Sequence, residues 1–303
     1  MSIKKLYVVG NGFDLYHGIP SKYEDFRKYI ENTEHGLAKK LETYFDYESL
    51  WSDFEQTLAN FNGEYLIDTT SDFLVSYATD DWSDAYHHDY QYEINEVVFA
   101  LSKTLKSTFI EWILQLRIPT EQDIKNKKLN FIDINEVFLT FNYTGTLQKS
   151  YLVPHCNVLH IHGKAENRNS NIMLGHAWKP INRNSLMSQE ELESMDTRII
   201  EGNILIDQYF KDTYKPTKEI ISINRVFFSR LNLIDKIYVL GHKISSIDMP
   251  YFYELVKSIN KQKTIWYISY LTVDDLENHK KAMKLLGIPE DLIIHSDIQG
   301  IAS

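Results

Sequence analysis

The fold is decided by residues 6–14, which read Leu6-Tyr7-Val8-Val9-Gly10-Asn11-Gly12-Phe13-Asp14. An apolar run of β-branched and aromatic residues that ends at a glycine is typical of a buried strand. Gly10 and Gly12 allow a tight turn and let a ligand approach the backbone amides closely. A helix that begins at Phe13 would direct its free N–H groups toward the same turn and favour a phosphate there. This segment therefore predicts a strand, a phosphate-binding turn and a helix.

A second interpretation of the turn stays open. The segment lacks the third glycine of the complete dinucleotide fingerprint. Asp14 would repel a phosphate unless its carboxylate faced a ribose, a metal ion or the helix N–H groups. In this alternative, Gly10 and Gly12 only shape the turn, and Asp14 caps the helix.

The composition describes an ordinary globular protein and limits its partners. The 303 residues, 43% hydrophobic and 24% charged, suffice for a single large domain over residues 1–303. A formal net charge of −10 opposes non-specific nucleic-acid binding, which depends on clustered Lys and Arg. Cys156 is the only cysteine, so no intrachain disulfide can form and a cytoplasmic location is expected. Neither a signal peptide nor a membrane partner is expected.

Short, apolar, β-rich segments recur along the chain after the first strand. They are predicted as strands at residues 137–141, 158–162, 172–174, 237–240, 264–270 and 292–294. Helical patterns separate most of them, and this alternation is typical of a parallel sheet covered by helices on both faces. The predicted fold is a doubly wound, mostly parallel, Rossmann-like α/β sheet.

Two helical segments interrupt this alternation. Residues 21–118 predict a large helical layer inserted after the first strand, and residues 180–232 predict a smaller helical insertion. Within the layer, Gly36 is expected to end the first helix, and residues 80–88 are expected to form a loop before a continuous helix. Residues 52–55 and 245–248 have the capping-box pattern, so Glu55 and Asp248 are expected to cap helices.

Polar residues gather where the predicted strands end. They are Gly10, Asn142, His162-Gly163, Gly175-His176 and Gly241-His242. Ligands of open parallel sheets bind at the carboxyl ends of the strands. The sequence therefore predicts a ligand site at this edge of the sheet.

Together these motifs resemble the bacterial abortive-infection family AbiH. The resemblance rests on Val9-Gly10-Asn11-Gly12-Phe13-Asp14, His17-Gly18-Ile19-Pro20, Trp51-Ser52-Asp53-Phe54-Glu55, Thr140-Phe141-Asn142-Tyr143-Thr144, His160-Ile161-His162-Gly163, and Leu240-Gly241-His242 with Ser245 and Asp248. It covers nearly the whole chain in order and implies an anti-phage effector. The possible partners implied by such a role are a phage-derived trigger and further copies of the same chain in a homo-oligomer.

A more distant similarity links the chain to sirtuins and to sirtuin-like defence NAD hydrolases. It rests on the glycine-rich turn with Gly18-Ile19-Pro20, on Asn142, and on His162-Gly163. The zinc-binding cysteines of sirtuins are absent, so deacetylation is not expected. The similarity implies a sirtuin-like sheet with NAD as ligand or substrate. The expected nucleotide-binding residues are Gly10, Asn11, Gly12, Asp14, Gly163, Gly241, His242, Ser245 and Asp248.

His162 and Asn142 are the expected catalytic residues of this NAD hydrolase. Cleavage of the nicotinamide–ribose bond passes through an oxocarbenium-like state, as in glycoside hydrolysis. A histidine can relay a proton from water or a ribose hydroxyl, and an asparagine amide can orient the nucleophile without adding charge. For each residue a structural role remains the alternative, as a strand-end histidine bonded to a carbonyl or as a turn or N-cap asparagine.

Two other functions remain open. A metal- or carboxylate-dependent phosphoester hydrolase or nuclease would use Asp14, Asp248 and the histidines. The other alternative is a catalytically inert module that senses a nucleotide or binds a partner.

The metal-dependent alternative depends on whether the histidines can lie together. His160 and His162 lie two residues apart and would face the same way on a strand. With His176 or His242 they could bind a metal ion, although no metal is expected.

Overall fold

A computed structural model describes residues 3–79, 84–186 and 188–302. In this part of the chain, six strands form one parallel sheet in the order β3-β2-β1-β4-β5-β6. The strands are β1 Lys5–Val9, β2 Val137–Thr140, β3 Val158–His160, β4 Lys236–Leu240, β5 Ile265–Ser269 and β6 Ile293–Ser296. The chain builds outward from β1 in one direction and then, from β4, in the other. The predicted doubly wound α/β sheet is confirmed, and the switch point lies between β1 and β4.

The central strand β1 supplies buried side chains to both faces of the sheet. Leu6 and Val8 pack on one face with the apolar residues of β2 and β4. Tyr7 and Val9 pack on the other face with Phe138. Because side chains alternate along a strand, a continuous apolar run fits a strand that is covered on both sides.

The α-helices alternate with the strands and also fill the long segment after β1. In chain order they are α1 Asn11–Tyr16, α2 Tyr23–Thr33, α3 His35–Tyr44, α4 Tyr47–Ser52, α5 Phe54–Thr57, α6 Gly63–Thr70, α7 Asp84–Phe99, α8 Leu105–Gln115, α9 Thr146–Tyr151, α10 Gln189–Ser194, α11 Thr197–Asp212, α12 Thr217–Ile223, α13 Arg225–Ser229, α14 Met249–Ser258 and α15 Val273–Leu286. A π-helical turn, Ala100–Thr104, joins α7 to α8.

Short 3₁₀ helices connect several of these elements. They are Leu58–Asn60, Ser71–Phe73, His155–Asn157, Arg183–Leu186, Arg230–Leu233, Glu290–Leu292 and Gly300–Ala302.

Three helix boundaries differ from the sequence prediction. Gly36 does not end a helix but lies in the first turn of α3, because the break falls earlier, after Thr33. The loop predicted over residues 80–88 is wrong from Asp84 onward, where α7 begins, and residues 80–83 lie outside the described residues. The continuous helix predicted over residues 92–113 contains the π-helical turn.

One predicted strand is wrong. Residues 172–174 have no regular secondary structure and join no strand of the sheet. The amide of Met173 donates to the carbonyl of His162 at 2.8 Å, so this segment is tied to the loop after β3. Ile172 is fully buried, which explains why a loop carries an apolar pattern.

The chain separates into two compact units. The sheet unit comprises the described residues of Met1–Lys22, Ile113–Met173 and Pro216–Ser303. The helical unit comprises those of Tyr23–Trp112 and Leu174–Lys215. Throughout the described residues, no helix is both long enough and apolar enough to cross a membrane.

Candidate functional site

The turn after β1 packs directly against the turn after β4. A Cβ atom on Gly10 would lie 2.6 Å from the Cα atom of His242, and one on Gly12 would lie 2.7 Å from the Cα atom of Gly241. The amide of Gly12 donates to the carbonyl of Gly241 at 2.8 Å. Backbone atoms of the turn after β4 therefore fill the space on the Cβ side of both glycines. The helix begins at Asn11 rather than at Phe13.

Asn11 links the start of α1 to Ser21, which follows the end of that helix, by hydrogen bonds. Its side-chain amide donates to the carbonyl of Ser21 at 2.8 Å, and the Ser21 hydroxyl donates to Asn11 Oδ1 at 2.6 Å. Asn11 is nevertheless exposed, so a ligand could reach it.

Asp14 is a buried carboxyl group inside α1. The hydroxyl of Thr144 donates to its Oδ2 atom at 2.6 Å. Burial raises the pKa of Asp14 to about 6, although hydrogen bonds from Thr144, Thr146 and Asn142 oppose that rise. Gly10 occupies the N-cap of α1, so the helix-cap interpretation of Asp14 is wrong. Thr144 and Thr146 were not singled out as site residues, although Thr144 belongs to the quoted motif that contains Asn142.

Asn142 follows β2 and ties that strand to the neighbouring turn. Its side-chain Nδ2 donates to the carbonyl of Gly10 at 3.1 Å, and its backbone amide donates to Thr140 Oγ1 at 3.1 Å. Asn142 thus faces the turn after β1, as the sequence predicts from its position at a strand end. With Nδ2 engaged, the amide oxygen is the atom that can accept a hydrogen bond from water or a hydroxyl.

Both ring nitrogens of His160 are engaged in hydrogen bonds within the protein. It ends β3, and its Nδ1 lies 3.1 Å from the carbonyl of Asn142, which can only accept. Nδ1 therefore carries the proton, and Nε2 accepts from the Gln148 amide at 2.9 Å. Burial lowers the pKa of His160 to about 4, so the ring is neutral at pH 7.

His162 lies beyond the end of β3 and has different surroundings. Its side chain is 3% exposed, and its Nε2 atom lies 3.9 Å from Oδ1 of Asp248. The prediction that His160 and His162 face the same way is wrong, because the strand ends at His160 and the chain turns at Gly163, whose φ is +84°.

Asp248 lies between two histidine rings. Besides facing His162, its Oδ2 atom lies 3.4 Å from Nε2 of His242 and accepts from the Ser245 hydroxyl at 3.0 Å. Asp248 occupies the N-cap of α14, but its side chain makes no capping hydrogen bond. The predicted capping role is therefore wrong. The buried ring of Phe141, which was not predicted as a site residue, lies 4.2 Å from the ring of His242 and 5.4 Å from that of His162.

Gly241 has a positive φ of +64°, which a residue with a side chain rarely adopts. Its amide donates to the Ser269 hydroxyl at 2.7 Å, so the turn after β4 is anchored to β5. The sheet edge therefore brings the predicted residues of the β1, β2, β3 and β4 ends together within one unit.

The proposed metal ligands do not form a metal site. Among the described residues, no group of three or more His, Cys, Asp or Glu side chains is arranged to hold a metal ion. His160 points to Asn142 and Gln148, and His176 belongs to the helical unit.

Glu55 also belongs to the helical unit and forms an ion pair there. Its Oε1 atom accepts from Nζ of Lys215 at 2.7 Å, and the Lys215 side chain is fully buried. Asp53 is the residue at the N-cap of α5. The predicted capping role of Glu55 is therefore wrong.

Comparison with known proteins identifies one family. The family model described as bacteriophage abortive infection AbiH matches residues 6–270. No curated protein and no solved structure matches the chain. The matched range contains every residue of the site described above.

Proposed function

The chain belongs to the AbiH family of bacteriophage abortive-infection proteins and so has a role in phage defence, and we propose that it performs this role by hydrolysing NAD. One observation carries the proposal. The buried imidazole of His162 faces the carboxylate of Asp248 at the edge of the sheet where parallel α/β folds bind ligands. A histidine paired with a carboxylate can serve as a general base at neutral pH.

The proposed reaction breaks the bond between nicotinamide and C1′ of its ribose. The electron pair of that bond leaves with nicotinamide, and the oxygen of a water molecule forms the new bond to C1′. The imidazole of His162 takes the proton that this water loses. The products are nicotinamide, ADP-ribose and one proton, which His162 returns to solvent.

Asp248 and Asn142 support this step. When His162 takes a proton, the nearby carboxylate of Asp248 stabilises the imidazolium ion. The amide oxygen of Asn142 can orient the attacking water without adding charge, and Nδ2 holds the side chain in place through Gly10. The oxocarbenium-like state carries positive charge, so a neutral amide beside it avoids repulsion.

We do not assign the nucleotide phosphates to Gly10 and Gly12, because the turn after β4 occupies the space beside them. Four of the expected nucleotide-binding residues retain accessible surface, namely Asn11, Gly163, Gly241 and Ser245. These residues are the proposed contacts for the nucleotide.

The proposal is tested by measuring NAD in bacteria that express the chain, with and without phage infection. We expect NAD to fall after infection in cells with the wild-type chain and to stay constant in cells with His162→Ala. His155→Ala is the matched control, since His155 is exposed and precedes β3, at the opposite edge of the sheet. The proposal would be overturned if NAD stayed constant after infection in a culture that the wild-type chain protects from the phage.

A further inference from the structure

His242, Asp248 and His162 are three buried side chains, and the carboxylate of Asp248 lies 3.4 Å from the His242 ring and 3.9 Å from the His162 ring. We propose that His242 is a positioning residue that holds the carboxylate of Asp248 toward His162. The catalytic meaning of this arrangement rests on the proposed NAD hydrolysis, whereas the positioning itself can be measured without any substrate.

The proton on the ring of His242 is placed by the backbone. The amide of Ile244 donates to Nδ1 of His242 at 2.8 Å, so Nδ1 accepts and Nε2 carries the proton. Nε2 is the atom that lies 3.4 Å from Oδ2 of Asp248. The ring is thus neutral, and its N–H proton sits on the nitrogen that lies 3.4 Å from the carboxylate oxygen.

The backbone of Ile244 is strained in the conformation that makes this hydrogen bond. Ile244 has a φ of +51°, which is rare for a β-branched residue. Such strain persists only where surrounding contacts enforce it, and it often accompanies functional sites. Here it brings the amide of Ile244 onto Nδ1 of His242 and so selects the tautomer that faces Asp248.

The ring and backbone of His242 are also fixed from other sides. The rings of Phe141 and Phe252 lie 4.2 Å and 5.2 Å from the His242 ring. Nε2 of His279 lies 2.9 Å from the carbonyl of His242 and must donate to it. Burial lowers the pKa of His279, which favours a neutral ring that still carries the donated proton.

The contacts of Asp248 are divided between its two oxygens. Ser245 and His242 both contact Oδ2, whereas Oδ1 is the oxygen that lies 3.9 Å from Nε2 of His162. Holding Oδ2 on one side therefore orients Oδ1 toward His162. Among the described residues, the titratable side chains of Tyr143 and Tyr251 also face His162, with ring centroids 6.4 Å and 5.4 Å from that of His162.

The test is a pH titration of the His162 ring, monitored by NMR in protein labelled with ¹⁵N at histidine. The His162 signals are assigned by their loss in His162→Gln. His242→Phe keeps a ring but removes the donor, whereas His242→Gln keeps an N–H group at a similar reach. We expect the titration midpoint of His162 to fall by about 1 pH unit in His242→Phe, because a misplaced carboxylate favours the imidazolium less. We expect His242→Gln to recover at least half of that shift. Asp248→Asn should lower the midpoint at least as far as His242→Phe.

A second measurement needs no variant of His242. In the wild-type protein, the ¹⁵N chemical shifts of the His242 ring should show that its proton is on Nε2. A proton on Nδ1, or an unchanged His162 midpoint in a folded His242→Phe protein, would overturn the positioning role. If the midpoint shifts but wild-type protein from phage-triggered cells does not hydrolyse NAD, the positioning role stands and the proposed function fails. If both hold, kcat should fall about 10-fold or more in His242→Phe with little change in KM.

Discussion

Nε2 of His162 lies 3.9 Å from Oδ1 of Asp248, although β1 and β2 separate the strands that precede these residues. Neighbouring strands lie about 4.8 Å apart, so the ends of β3 and β4 are roughly 14 Å from each other. The loops after these two strands must therefore bend toward each other over the edge of the sheet. The two halves of the doubly wound fold each contribute one of the paired side chains.

Replacing His162 by Ala should lower the turnover of NAD by roughly 10²–10⁴, the usual contribution of general acid–base catalysis. The measurement is the release of nicotinamide by protein purified from phage-triggered cells. His155→Ala should keep wild-type turnover, because this exposed side chain lies before β3. Full activity of His162→Ala would remove His162 from the catalytic role.

Replacing His160 by Ala should affect folding more than chemistry. The variant loses the hydrogen bonds to Asn142 and Gln148, and each is worth about 1 kcal/mol of unfolding free energy. We expect a lower midpoint of urea unfolding and less than a tenfold loss of turnover in the protein that remains folded. Equal losses in His160→Ala and His162→Ala, both sensitive to a chelator, would favour the metal-dependent hydrolase instead.

The sheet could be predicted from sequence because its strands are buried on both faces. Val8 and Val239, for example, stand in apolar runs that end at a glycine, as expected of strands covered on both faces. Residues 172–174 have a similar apolar composition, but the amide of Met173 donates to His162 in the loop after β3, and its carbonyl accepts from the Tyr143 hydroxyl. Composition reports that a segment is buried and does not report its hydrogen-bond partners, which is why this strand was predicted wrongly.

The candidate site was predictable to the level of which strand ends meet. The position of Asn142 after a core strand was enough to predict that it faces the turn after β1. The contacts of Asp248 were not predictable, because the same Ser-x-x-Asp pattern suits a helix cap and a hydrogen-bonded carboxylate. Likewise, the glycines of the turn after β1 are needed by a segment more than 200 residues away, which local sequence does not reveal.

Asp14 should make the stability of the fold depend on pH. Burial raises its pKa from 3.8 to about 6, so the folded state binds the proton more tightly than the unfolded state. The resulting stabilisation is complete below about pH 4 and is lost as the pH rises through about 6. Since one pKa unit corresponds to about 1.4 kcal/mol, the loss is up to about 3 kcal/mol. Asp14→Asn removes this contribution.

The measurement is the free energy of unfolding in urea, for wild type and Asp14→Asn, from pH 4 to pH 7. The difference between the variant and wild type should grow in favour of the variant by up to about 3 kcal/mol over this range. Asp291→Asn, at an exposed position, is the control and should show a nearly constant difference. A constant difference for Asp14→Asn would mean that the pKa of Asp14 in the folded protein is close to its value in the unfolded chain.

The ion pair between Lys215 and Glu55 should be costly to break from either side. The Lys215 side chain is fully buried and that of Glu55 is 15% exposed, so either partner alone would leave a charge inside the helical unit. Lys215→Met should lower the unfolding free energy by about 3–5 kcal/mol, and Lys215→Met with Glu55→Leu should recover much of that loss. Lys280→Met breaks the exposed pair with Glu277 and should leave the unfolding free energy nearly unchanged. Equal, small losses for both lysines would contradict the burial of Lys215.

Gly12→Ala should destabilise the fold, because a side chain at Gly12 would collide with the turn after β4. The new Cβ atom would lie 2.7 Å from the Cα atom of Gly241 and 2.9 Å from its carbonyl oxygen, and backbone atoms cannot rotate away. Overpacking of this kind typically costs about 1–3 kcal/mol of unfolding free energy. Gly36→Ala is the matched control, because nothing lies within 4 Å of its Cβ position in α3, and Ala should stabilise that helix by up to about 1 kcal/mol. Urea unfolding followed by circular dichroism measures both changes. If Gly12→Ala kept the wild-type unfolding midpoint, the turns after β1 and β4 would not be in close contact, and the space beside Gly12 would again be open to a phosphate.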